Sequence, residues 1–172
     1  MFRQTRHFSA PCWVLLSTGL LLILGISGCA THARGVAFSQ SLPPPPPGHA
    51  LLYVFRRDAQ PTAWGATVRV SDENVATLNQ GGFTWAYVQS GKRQVRAAWP
   101  ILSGQRDSYI ELELAEGSTH YVELVGVSKM AGVSGPYMIF QIGSGLNEIS
   151  PEGARAEMAQ CCVLQPAAKT MY

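Results

Sequence analysis

The chain predicts a mainly β fold: a single antiparallel β-sandwich of seven to eight short strands with one C-terminal helix, preceded by a signal peptide and a Pro-rich tether. Three observations predict it. From residue 49 onward apolar side chains recur with period two in short runs, the signature of strands with two distinct faces. Clusters of Gly, Ser, Asn and Asp separate the runs at short intervals, as the turns of a sandwich require. Helical spacing of three and four appears once, between Ala154 and Cys162.

The first run, His49 to Arg57, places Leu51, Tyr53 and Phe55 on one face and Leu52, Val54 and Arg56 on the other. Apolar residues on both faces predict a central strand. Pro61 and Gly65 break it, and Ala66 to Val70 with Val75 to Asn79 form a hairpin around Ser71 to Asn74. Phe83 to Val88 follows, with Phe83, Trp85 and Tyr87 on one face; Gly91 turns the chain into Arg93 to Trp99. Ser108 to Leu114 alternates, with Ile110, Leu112 and Leu114 inward and Tyr109, Glu111 and Glu113 outward. Thr119 to Val127 carries the inward face on through Val122 and Leu124. Ser128 to Pro136, rich in small residues, is expected as a mobile loop before a last strand, Tyr137 to Ile142. In the helix, Ser150 suits the N-cap, Pro151 the first position and Glu152 the positive dipole end, while Ala154, Met158 and Cys161 or Cys162 face the core.

The N-terminus carries the other organising stretch. Arg3 and Arg6 precede an apolar core, Val14 to Ile26, too short and interrupted for a spanning helix of roughly 20 apolar residues. The core ends in Leu24-Gly25-Ile26-Ser27-Gly28-Cys29, which resembles a bacterial lipobox. The resemblance implies removal of residues 1–28, lipidation of Cys29 and attachment to a membrane through its acyl chains. Ala30 in place of an aspartate resembles the outer-membrane-sorted class. Residues 29–48, ending in the prolines Pro43 to Pro47, read as a linker in polyproline II that spaces the domain roughly 15 Å further from the lipid. The domain is expected over 49–165, with 166–172 a tail.

Removing 28 of 172 residues would leave 144, the size of one domain. Loss of Arg3 and Arg6 would take the 13 basic side chains to 11, against 11 acidic ones. Without a basic field, nucleic acid is excluded as a partner.

The strand ending Tyr53-Val54-Phe55-Arg56, the hairpin bearing Val75 to Leu78, and Gly82-Phe83-Thr84-Trp85 leading to Gly91 are similar to a family of small bacterial outer-membrane lipoproteins whose β-sandwich domain, transthyretin-like or immunoglobulin-like, has no assigned function. The similarity spans roughly residues 49–127 and implies architecture. It supplies no catalytic residues and no cofactor, and it gives Arg56 a structural role, its stem along the sheet and its head on a carboxylate or carbonyl.

Chemistry-bearing motifs are sparse. His32, His49 and His120 read as surface or strand histidines, without a G-x-S-x-G elbow or zinc-cluster spacing. Glu111 and Glu113 share a solvated face. Trp85, Tyr87 and Trp99 belong to the core, leaving Trp64, in a loop beside Gly65, with Arg56 as binding candidates. Adjacent Cys161 and Cys162 can bridge only if the helix does not continue through both, so the helical pattern favours buried thiols and the oxidising compartment favours a bond. The expected function is a non-catalytic, lipid-anchored module facing the periplasm that binds an envelope protein or cell-wall component. The alternatives are an envelope redox protein or enzyme using Cys161-Cys162, and a glycan-binding module.

Overall fold

A computed structural model describes residues 31–39 and 42–166. The molecule is mainly β, with two sheets that do not close into a barrel and one C-terminal helix. The strands are β1 (His49–Arg56), β2 (Ala66–Val70), β3 (Glu73–Leu78), β4 (Gly82–Gln89), β5 (Gly91–Ala98), β6 (Ser108–Leu114), β7 (Thr119–Ser134), β8 (Tyr137–Glu148) and the two-residue β9 (Val163–Leu164), with helix α1 (Pro151–Cys161) before β9. One sheet has the order β8-β7-β1-β4-β9 and the other β3-β2-β5-β6.

Because β1 is flanked by β4 and β7, its predicted central place holds, and both of its faces are buried. Leu52 and Val54 join Val68, Val95, Leu112 and Leu124 in the core between the sheets. Leu51, Tyr53 and Phe55 join Phe83, Tyr121, Ala154 and Met158 in a second core under α1. The domain is therefore three layers deep.

The tight turn β4–β5 carries the chain from the first sheet to the second, and Ala115 to Ser118 returns it after β6. This return makes β7 run parallel to β1, with Leu51 opposite Thr119, and β9 also lies parallel to β4. The expectation of a wholly antiparallel sandwich is corrected at these two pairs. Two ends result. At the His49 end lie Gln89, Gly91 and Leu114; at the Arg56 end lie Gly82, Ala98 and Ser108.

The β2–β3 turn is tighter than expected. Ser71 and Asp72 adopt φ of 46° and 69°, the doubly left-handed conformation of a two-residue hairpin, so β3 starts at Glu73. The expected loop from Ser128 to Pro136 is largely strand: β7 runs to Ser134 and pairs with a β8 that continues to Glu148. Small residues lowered its intrinsic strand preference, but cross-strand pairing supplied the partner groups. The register slips between Met130 and Gly132, and Gly135 turns at φ 60°.

Helix α1 starts as predicted. The Ser150 hydroxyl accepts from the Gly153 amide at 3.3 Å, and Ala154 and Met158 are fully buried. It stops at Cys161, because Cys162 is extended (φ −123°, ψ 140°) and its sulfur is bonded to that of Cys161. Of the two readings left open for the pair, the structure has the bond: the helix ends between the two cysteines, which removes the conflict between helix and bridge.

The described part of the predicted linker is also corrected, because it lies against the domain. His32 bridges to Gln80 and Ala37 to Val163, and the Phe38 amide donates to the Cys162 carbonyl at 3.2 Å. The Phe38 ring meets Tyr53 and Phe83 edge to face, at centroid distances of 6.0 and 5.4 Å. Tyr87 Oη donates to the Pro43 carbonyl at 3.0 Å, and Ser90 holds Gly48. The segment thus runs back along the sheet from the Arg56 end to the His49 end, closing the second core.

These layers predict that Phe38→Ala, outside the expected domain, destabilises by about 2 kcal/mol, comparable to Leu112→Ala, whereas the outward Glu113→Ala stays within about 0.5 kcal/mol. Denaturant midpoints check the contrast.

Candidate functional site

The lipobox-like residues Leu24, Ile26, Ser27, Gly28 and Cys29 lie outside the described residues. What the structure describes is where the chain leads immediately after them. The Thr31 amide and hydroxyl both donate to the Thr62 carbonyl at 3.2 Å, and the Thr31 carbonyl accepts from the Gln80 amide at 3.0 Å. Thr62 belongs to the loop joining β1 to β2 at the Arg56 end. Cys29 is two residues from Thr31, so a fully extended chain allows it at most about 7 Å from that pinned position.

The loop is itself held by one side chain. Arg56 is fully buried, and its guanidinium donates to four backbone carbonyls: Nη1 to Trp64 at 2.7 Å and Leu78 at 3.0 Å, Nη2 to Ala59 at 2.7 Å and Pro61 at 2.6 Å. It lies over the Trp99 ring, 4.9 Å from the centroid. The five-donor fork is what allows one residue to serve so many carbonyls. Desolvation lowers the Arg56 pKa to about 10, opposed by Asp58, and the group stays charged at neutral pH. Gln80 completes the loop by accepting from the Ala59 amide at 3.1 Å and donating to its carbonyl at 3.1 Å.

The two sequence-predicted binding candidates are thus brought together, as a donor and the carbonyl it holds. Arg56 presents nothing to solvent, and Trp64 packs partly buried against the inter-sheet core. Trp99 is buried, and its Nε1 donates to Ser144 Oγ at 2.7 Å. Trp85 and Tyr87 belong to the second core, as the alternation of β4 predicts. The Cys161-Cys162 bridge sits where α1 meets β9, with Cys162 packed in the same core.

Sequence reasoning missed one array. Ser118 Oγ lies 2.9 Å from His120 Nε2, and His120 Nδ1 lies 2.6 Å from Glu148 Oε1. The order matches a Ser-His-acid relay, but the Ser118 hydroxyl donates to the Ala115 carbonyl, so its hydrogen is directed away from the ring. The ring lies between Ser118 on one side and Glu148 on the other and ties the start of β7 to the end of β8. Strand pairing of Val122 with Glu148 creates this neighbourhood, which residue spacing alone could not reveal.

A cleft of about 250 Å³ opens at the His49 end, lined by His49, Val70, Glu73, Tyr87 and Arg93. It falls below the roughly 300–1,000 Å³ of ordinary small-molecule sites. Arg93 is engaged there with the Gln89 carbonyl at 2.9 Å.

Two further charged groups shape the surface. Burial pushes the Asp107 carboxyl up, but the Trp99 amide and the Arg96 guanidinium outweigh it and hold it below the ordinary range. Glu123 goes the other way: burial and the nearby Glu157 raise its pKa despite Arg57, which bridges the two carboxylates at 3.4 and 3.5 Å.

Compared with family models, curated proteins and solved structures, the chain matches none.

Two outcomes are expected. Arg56→Met should destabilise by about 3 to 5 kcal/mol, because four carbonyls lose their donor at once and each unsatisfied buried group costs about 1–3 kcal/mol before relaxation; chemical denaturation measures it. Glu123, whose folded pKa lies above 4.5, contributes stability at acid pH that is lost as the pH rises through the folded value. The Tm of Glu123→Gln relative to wild type should therefore increase from acid to neutral pH.

Proposed function

We propose that the chain is a lipid-anchored, non-catalytic envelope module, held through acylated Cys29 at the outer membrane with its domain facing the periplasm, where it binds an envelope protein or cell-wall component as an accessory or assembly factor. The observation that carries the reading is the lipobox-like run Leu24 to Cys29, followed within two residues by a segment hydrogen-bonded to the domain. An acylated N-terminus needs a folded domain to retain at the surface, and three acyl chains, at about 0.8 kcal/mol per buried methylene, hold it stably. The resemblance to small outer-membrane lipoproteins supports the same address.

The fold favours a recognition role over chemistry. Arg56, the largest fully buried side chain, is used to fasten a loop, and His120 to fasten two strands. Partners would meet strand edges and exposed loops.

Cys29→Ser decides the anchor, since an alcohol cannot form the thioether. Intact-mass analysis and fractionation should show wild type cut before Cys29, carrying acyl chains and pelleting with outer membranes. The variant should keep residues 1–28 and carry no acyl chain. Acylation and cutting identical to wild type would contradict the reading.

A further inference from the structure

The β7–β8 hairpin extends past the sheet it belongs to. β1 ends opposite Glu123, whereas β7 continues to Ser134 and β8 returns from Tyr137, so the ribbon beyond them projects from the Arg56 end. Its side chains suit neither a solvated ribbon nor a one-sided interface. Met130, Val133, Tyr137, Met138 and Ile139 are between 49 % and 74 % exposed. Val133 pairs with Met138, while Tyr137 and Ile139 fall on the opposite face by alternation, so both faces of the tip are apolar. From Leu124 to Asn147 the chain contains no acidic residue, and its single cation is Lys129. The loop between β5 and β6 emerges at the same end, with Ile101 96 % and Leu102 84 % exposed in its single 3-10 turn.

The described N-terminal segment starts there too. Thr31 is fastened to Thr62 in the β1–β2 loop at the Arg56 end, and Cys29 lies within about 7 Å of it along the chain. We infer that the Arg56 end is the membrane-facing end of the domain, and that the tip of the β7–β8 hairpin enters the interfacial layer of the phospholipid leaflet that holds the acyl chains. The inference rests on the lipid anchor proposed above and adds an orientation and a second attachment to it.

A lipid occupant fits better than a protein. A partner protein covers one face of a two-stranded ribbon, whereas the headgroup–acyl boundary surrounds both. Tyr and Lys are suited to that boundary, the ring seated at headgroup level and the ammonium reaching water or an anionic phosphate. Depth is limited, because the outer edges of the ribbon carry unpaired amides and carbonyls that hydrocarbon would strand. Insertion therefore stops at the interfacial region, about 5–10 Å deep. One such hairpin is weak alone, but the acyl chains hold it at the surface, so even modest apolar burial fixes the orientation.

The test uses the full acylated protein in vesicles of phosphatidylethanolamine and phosphatidylglycerol. Single reporter cysteines Met138→Cys and Ile101→Cys at the Arg56 end, and Glu113→Cys toward the His49 end, carry an environment-sensitive dye, the native Cys161-Cys162 bridge being kept oxidised. All three positions are exposed, so labelling leaves the cores intact. Dye at 138 should shift to the blue and be quenched several-fold more by lipids spin-labelled near the headgroup than by lipids labelled at the chain terminus. Dye at 101 should be quenched less, and dye at 113 should match its value in buffer. Intact mass of the same sample reports acylation independently. Acylated protein with position 138 as wet as position 113 overturns the inference and leaves the anchor standing, whereas a mass without acyl chains removes the anchor itself. A blue shift at 138 that ignores spin-labelled lipid and grows with protein concentration also overturns it, in favour of a second copy of the chain.

Discussion

One buried guanidinium fixes the end of the molecule on which the rest of the account depends. Arg56 closes β1 and gathers carbonyls from Ala59, Pro61, Trp64 and Leu78, tying the β1–β2 loop to the end of β3. Backbone carbonyls in an irregular loop have no ladder to satisfy them, and burying them unpaired is costly. A single planar cation supplies the donors, and carbonyl dipoles in turn compensate a charge that would otherwise not tolerate burial. Thr62 sits in the loop so held, and Thr31 is hydrogen-bonded to Thr62. The position of the N-terminal segment is thus inherited from Arg56.

The second constraint is that β1 buries both faces. A sandwich of two sheets covers one face of each and leaves the other to water. Here the outer face of the first sheet carries Leu51, Tyr53, Phe55 and Phe83, too apolar to leave wet, and α1 together with Phe38 and Leu42 covers it. The bridge at Cys161-Cys162 ends α1 where the chain must turn extended to pair with β4 and with the N-terminal segment. Helix, bridge and N-terminal segment therefore form one cover, and the segment cannot be removed without exposing aromatic rings.

How far the sequence discloses this depends on whether the signal is local. In β6, Leu112 and Leu114 face the core while Glu111 and Glu113 face water, so strict alternation identifies the strand and its bounds. The start of α1 is equally local, since Ser150, Pro151 and Glu152 act within one turn. Non-local pairing hides the rest. Gly132, Ser134 and Gly135 give the signals of a loop, and only the partner strand turns that stretch into β7 and β8. Pro43 to Pro47 signal an extended spacer, but its docking, with Tyr87 on the Pro43 carbonyl and Ser90 on the Gly48 carbonyl, depends on groups far along the chain. The Ser118-His120-Glu148 array and the common end shared by Thr31, Ile101 and the hairpin tip are likewise products of topology.

The central claim is that the N-terminal segment lies along the domain and brings the chain, two residues after the proposed anchor Cys29, to the Arg56 end, instead of floating the domain on a free tether. Pulsed electron–electron distance measurement tests it with spin labels on exposed sites, His32→Cys paired with Ala63→Cys or with Glu113→Cys, under oxidising conditions. The account predicts a narrow, short distribution for 32–63. It predicts a distribution for 32–113 that is just as narrow but longer, by up to roughly the 25 Å span of an eight-residue strand. Broad distributions of similar mean for both pairs, as a flexible linker would give, would contradict it.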